Sequence, residues 1–276
     1  MGTLLVTGAS GFLGAELCLR AAAAGWDVVG TYLTRTPGRV DATRLDVRDA
    51  GAVASVVAGA RPAAVVHTAY RQEGDAAAAV NVDGAAHVAS AARAAGARLV
   101  HLSTDVVFGG DRGRPLREDD PPDPMTAYGE TKARAEAAVG REHPDAVLVR
   151  TSLLYRGPGR ELSKHEQLAV EAARGERDVR FFDDEVRSPA QVGDVAAAIL
   201  ELIDVDVRGP LHVAGADPLT RLEFARLAAA AHGEDPAGLA AGSRPAGRPG
   251  DCALDCSRAA ALLRTRLRGA REVLGG

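Results

Sequence analysis

A chain of 276 residues, 46% hydrophobic and only 4% aromatic, is long enough to bury a sizeable core, as one large α/β domain or as a main domain with a smaller lobe. Its formal charge of −4 comes without any basic block, which argues against a nucleic-acid or anionic-membrane partner, and the scarcity of aromatics argues against a stacking platform for single strands. No apolar run is long enough to span a bilayer and the first residues enter a predicted buried strand without a basic leader, so a cytoplasmic protein with a small-molecule ligand is expected.

The first predicted strand, Leu4–Thr7, runs into the turn TGASGFLG (7–14), where a helix is predicted over Phe12–Ala24. Glycines at 8, 11 and 14 permit positive φ, close backbone approach to a pyrophosphate and tight helix–strand packing, while N–H groups at the helix start face phosphate. Further strands are predicted over Asp27–Tyr32, Ala64–His67, Leu99–Ser103 and Val147–Arg150, and Ala-rich helices over Ala50–Ala58, Asp75–Ala95 and Thr126–Gly140. This alternation predicts a Rossmann-type α/β fold with a doubly wound parallel sheet. Gly109 to Pro124, dense in Gly, Pro and Asp, reads either as a loop bordering a site or as a surface linker. From Arg156 the pattern loosens, through a helix near Glu161–Arg174 and a short run Val179–Phe182 to SRPAGRPG at 243–250. Residues 1–155 are therefore expected to bind the dinucleotide, and 156–276 to form mainly a small substrate-binding lobe with some segments returning to the Rossmann core.

Tyr128 and Lys132 stand one helical turn apart on one face, and Ser103-Thr104 closes the strand before them. A phenol with a pKa of about 10 is a poor acid at neutral pH, and a neighbouring ammonium pulls that value down. Tyr128 is expected to act as general acid, Lys132 to tune it and hold a nicotinamide ribose, and Thr104 to donate to the substrate oxygen. After the second strand, GTYLTRTPGR has no carboxylate for a ribose 2′-hydroxyl and offers Thr31, Thr34, Arg35 and Arg39 to a 2′-phosphate. NADPH is thus expected, with NADH the alternative; solvated loop charges are the competing reading of these arginines. His67 and His101 read as packed core residues. Asp183-Asp184-Glu185 reads as solvated, since adjacent acids point in different directions, and no ligand set supports a metal. Cys18, Cys252 and Cys256 are too few for a disulfide framework and read as buried free thiols.

These segments resemble the extended short-chain dehydrogenase/reductase superfamily, and within it the dTDP-4-dehydrorhamnose reductases and their sugar-nucleotide-modifying relatives. The similarity runs nearly end to end, through TGASGFLG (7–14), LDVRD (45–49), VVHTA (65–69), NVDG (81–84), LVHLSTDVVFGG (99–110), YGETKARAE (128–136), VRTSLLY (149–155), RSPAQVGDVA (187–196) and GRPGDCALDCSRA (247–259). Together with the glycine turn, the resemblance implies catalytic Thr104, Tyr128 and Lys132. It implies a cofactor site of Gly8, Ser10, Gly11, Phe12, Leu13, Gly14, Thr31, Arg35, Asp46, Val47, Thr68, Ala69, Tyr70 and Ser103 beside Tyr128 and Lys132. Substrate contacts are expected from Thr104, Asp105, Val106, Tyr128, Leu153 and Arg187. The implied activity is NADPH-dependent reduction of a nucleotide-linked 4-keto-6-deoxysugar; superfamily members often form homodimers through helices, and no face in this sequence marks one. Val106, Gly109 and Leu153 depart from the usual reductase pattern and leave the sugar open. A dehydratase would need an acid where Val106 stands. A sugar-nucleotide 4-epimerase and an NADP-binding regulatory subunit resembling the methionine adenosyltransferase β-chain are the alternatives.

Overall fold

The computed structural model describes residues 2–38, 40–159 and 161–275; Arg39, one of the expected 2′-phosphate partners, lies outside the described residues. The elements begin with β1 (Thr3–Thr7), α1 (Phe12–Ala23), β2 (Asp27–Tyr32), β3 (Asp41–Arg44), α2 (Ala50–Ala60), β4 (Ala64–His67), α3 (Gly84–Ala94), β5 (Arg98–Thr104), α4 (Ala127–Glu142), β6 (Val147–Thr151) and β7 (Leu154–Tyr155). They continue with α5 (Lys164–Ala173), β8 (Arg180–Phe182), β9 (Val186–Arg187), β10 (Ala190–Gln191), α6 (Val192–Leu202), β11 (Gly209–His212), β12 (Leu219–Thr220), α7 (Arg221–Ala231) and β13 (Ala240–Gly242).

Seven strands form one sheet in the order β11-β6-β5-β4-β1-β2-β3. Parallel pairing joins β5 to β4, β4 to β1, β1 to β2 and β2 to β3, which makes the fold Rossmann-type. The strand order reverses between β1 and β4, and in such sheets a ligand crevice opens beyond the carboxyl ends at the reversal. Leu4, Leu5, Val6, Val65, Val66, Leu99 and Val100 are all buried, because a parallel sheet carries helices on both faces. On one face Val53, Val57, Val88, Ala92, Ala135 and Val139 pack with Leu5, Val65 and Leu99. Each such Val or Leu contributes about 1.5–3 kcal/mol when fully buried.

Two strands of the sheet lack the apolar signal that betrays the others. β3, DATR, is largely exposed and is held through its backbone, Val29 pairing with Asp41. β11, GPLH, contains a proline. The helix predicted over Asp75–Ala95 starts two residues later, at Ala77, and passes through a π-type turn over Ala79–Asp83 into α3.

The chain forms two compact units. One takes residues up to 103, 127–149 and 196–211; the other takes 104–126, 150–195 and everything from 212 on. The second unit has its own core, built on Leu153, Tyr155, Phe181, Leu219, Leu222 and Phe224, and three two-stranded ladders: β10–β7, β12–β9 and β13–β8. Its helices α5 and α7 both open with a capping box, Ser163 with Glu166 and Thr220 with Glu223, which satisfies N–H groups the helix itself cannot. Gly109 to Pro124 is no surface linker. Leu116 is fully buried, bridges Leu254 and donates its N–H to Ala253 O at 2.8 Å. Cys18 and Cys252 are buried free thiols whose pKa burial pushes up to about 11 and about 12, whereas Cys256 is only half-buried. Among the described residues no helix is long and apolar enough to cross a membrane, and no group of His, Cys, Asp and Glu could hold a metal ion.

Candidate active site

At the carboxyl end of β1 the backbone turns sharply. Gly8 has φ +70°, and a Cβ there would stand 2.9 Å from Ala69 N and Thr68 Oγ1. A Cβ on Gly14 would come within 2.2 Å of Gly8 O, so this position must lack a side chain for α1 to lie against the turn. Among the described residues no side chain caps the N-terminus of α1, and no carboxylate occupies its first turn, which suits it to an anion. Arg35 reaches across to donate to Ser10 O at 2.9 Å, holding a guanidinium over the turn. These features fit a dinucleotide phosphate. Ser10 and Phe12 are half-buried, whereas Leu13 packs its side chain into the core. Thr31 is buried and serves through its carbonyl, which accepts from Ala9 N–H at 2.9 Å. Asp46 is paired with Arg48 at 2.5 Å, a contact that holds its carboxyl below the usual range; Val47 is buried, and its carbonyl lies 3.0 Å from His87 Nδ1.

Beside the turn, the Thr68 hydroxyl donates to Thr7 O at 2.6 Å and so ties β4 to β1. Tyr70, 53% exposed, faces Tyr128 with ring centroids 5.9 Å apart. Asn81 fixes that pairing. Its Oδ1 accepts from Arg71 N–H, and its Nδ2 donates to Arg71 O and to Thr131 Oγ1, each at 2.8 Å. The π-type turn aims this amide, a common use of such turns at functional sites. Tyr128 and Lys132 share one face of α4, as their spacing requires. Lys132 is buried and donates to Leu102 O at 2.5 Å; burial pulls its pKa down to about 8, opposed by the Glu136 carboxylate one turn further on. Ser103 directs its hydroxyl to Glu136 at 2.5 Å.

Within the second unit, Thr104 caps a short turn over Asp105–Val107, and its hydroxyl contacts Asp105 Oδ1 at 3.1 Å. Asp105 is buried and accepts from Ser152 Oγ at 2.6 Å, Val106 is half-buried, and Leu153 belongs to the unit's apolar core. Arg187 is buried 3.2 Å from Glu185 and 3.7 Å from Asp105. Glu185 corrects the expectation of a solvated acidic run: it is 1% exposed, because β9 turns it inward toward three guanidinium groups. Arg248 pairs with it at 2.7 Å and Arg221 lies at 4.0 Å, so three cations surround Glu185 and Asp105. Burial pulls Arg221 down to about 10. Arg221 and Arg248 lie far from Arg187 in the sequence, and only the fold brings them to Glu185; Asn81 stands within the NVDG segment, where no local pattern gives its role.

The RmlD substrate binding domain family matches residues 2–275. The chain belongs to that family. A dTDP-4-dehydrorhamnose reductase of Mycolicibacterium smegmatis is 35% identical to this RmlD-family chain over 284 residues, covering 98% of this chain and 83% of that protein. Among solved structures, a dTDP-4-dehydrorhamnose reductase from Bacillus anthracis in complex with NADP aligns with a TM-score of 0.83 at 27% identity, covering 99% of this chain and 95% of that one. A methionine adenosyltransferase 2 subunit beta of Bos taurus is 30% identical over 280 residues, covering 92% of this chain and 80% of that protein.

Proposed function

We propose that this RmlD-family chain is an NADPH-dependent carbonyl reductase acting on a nucleotide-linked 4-keto-6-deoxysugar. The observation that carries the reading is the face of α4, where half-buried Tyr128 stands one turn from a Lys132 ammonium sealed in the core. Bound NADPH supplies the hydride. Tyr128 Oη gives its proton to the substrate oxygen as charge develops there, and Lys132 favours the phenolate that remains. Thr104, the last residue of β5, offers a hydroxyl suited to donate to a developing oxyanion. The turn over Gly8–Gly14 and the N-terminus of α1 take the pyrophosphate, Arg35 the 2′-phosphate, and Asp46 and Val47 border the adenine. In the second unit, Arg248 is 45% exposed in its side chain, and the excess of guanidinium over carboxylate around it suits the diphosphate of a sugar nucleotide. The first unit thus serves the cofactor and the second the substrate, in a cytoplasmic protein with no nucleic-acid partner.

NADPH oxidation followed against a panel of nucleotide-linked keto-sugars, with NADH alongside, tests the reading. Tyr128→Phe is expected to lose about 10²–10⁴ in kcat while NADPH affinity changes far less, since the transition-state proton donor is removed and most of the cofactor contacts stay in place. Near-wild-type turnover in that variant refutes the mechanism. Likeness to the methionine adenosyltransferase subunit favours a second reading, a cofactor-binding subunit; NADPH binding without reduction of any carbonyl would select it.

A further inference from the structure

Thr7, His67 and His101 occupy one level of three adjacent strands, Thr7 pairing with His67 and His67 with His101 across β1, β4 and β5. Thr7 Oγ1 lies 2.6 Å from His67 Nδ1, the two imidazoles stack with centroids 5.2 Å apart, and His101 Nε2 meets Lys132 Nζ at 3.4 Å. At least 97% of each residue in this row is hidden from solvent, Lys132 being the most open at 3% exposure. His67 Nε2 and His101 Nδ1 nevertheless have no hydrogen-bond partner among the described residues. Unpaired polar atoms in a core are costly, and apolar residues of the same shape would avoid that cost. Both rings are held neutral, because burial and the nearby Lys132 charge oppose a second proton. His101 Nε2 therefore carries the lone pair that meets the ammonium, and its proton sits on Nδ1.

We propose that His101 is a positioning residue of this reductase: its Nε2, together with the Leu102 carbonyl, fixes Lys132 Nζ, and the His67 ring, anchored by Thr7, holds the plane of His101. The inference rests on the reading of Lys132 as the group that tunes Tyr128. Lys132 is faced by His101 from β5 with His67 behind it on β4, and by Glu136 and Tyr128 from its own helix. Glu136 favours the ammonium, as a hydrogen-bond acceptor does; removing the His101 acceptor lowers the lysine's titration further.

The chain has two lysines, Lys132 and Lys164, so lysine isotopically labelled at Cε gives two resonances, which Lys132→Met assigns. In His101→Leu, the Lys132 titration is expected to fall by about one pH unit or more, the worth of a hydrogen bond to a charged group. The alkaline limb of kcat/KM moves with it. In His101→Gln, whose amide oxygen reaches the same place, both return to the wild-type position. His101→Asn is too short to reach, behaves as the leucine variant does, and replaces it if that variant does not fold. An unmoved Lys132 titration in a folded leucine or asparagine variant overturns the inference. A titration that moves in a protein whose wild type reduces no carbonyl leaves the positioning intact and removes the reductase reading instead.

Discussion

Arg35 shows how much a single side chain decides. An exposed arginine in a loop is ordinarily a solvated charge, yet here its Nη2 is tied to Ser10 O at 2.9 Å and the guanidinium is held beside the glycine turn. Arg35→Ser is expected to lower kcat/KM with NADPH at least about tenfold while leaving NADH little changed, since a charge-assisted contact to phosphate is lost and no contact to a hydroxyl. Comparison of the two cofactors in steady state checks this. An equal loss with both would assign Arg35 to the shape of the turn. Gly14 is fixed by a different constraint, the approach of α1 to Gly8 O, which no side chain tolerates.

Among the elements, α7 links packing to the site. Thr220 accepts from Glu223 N–H at 3.0 Å and starts the helix, while the N–H of Arg221, its first residue, donates to Glu185 O at 2.9 Å. The cap therefore seats Arg221 beside the carboxylate that gathers the three arginines. Thr220→Ala is expected to cost about 1 kcal/mol in urea unfolding. It is also expected to raise KM for the sugar nucleotide with kcat kept, and an unchanged KM would separate the cap from the anion site.

For the whole molecule the marked consequence is acid sensitivity. His67 and His101 are buried and His165 is half-buried, and loss of solvent pulls their pKa values down, to about 3 for His67 and about 2 for His165. The unfolded chain takes up protons at these groups from about pH 6.5 downward, while the folded chain does not. Their contribution to stability is thus complete above that pH and is lost as pH falls from there toward the folded values. With three such groups the slope approaches about 4 kcal/mol per pH unit. Urea midpoints measured from pH 7.5 down to 5 should fall steeply below 6.5; a flat profile would mean that the imidazoles protonate in place.

The sequence by itself determined the Rossmann fold, five of the seven sheet strands and the turn over residues 7–14, because a sheet covered on both faces writes continuous apolar runs and a tight turn writes its glycines. It also marked Tyr128 and Lys132 as neighbours, since helical spacing is a local property. Tertiary structure alone decided the rest. β3 carries no apolar run because it is held by backbone pairing, and Glu185 reads as one of three adjacent acids until β9 turns it toward arginines at 187, 221 and 248. His67 and His101 look like two separate core residues, and only strand register stacks them and carries the row to Lys132. Local periodicity records which face of an element is buried; it holds no record of which distant residue will meet it there.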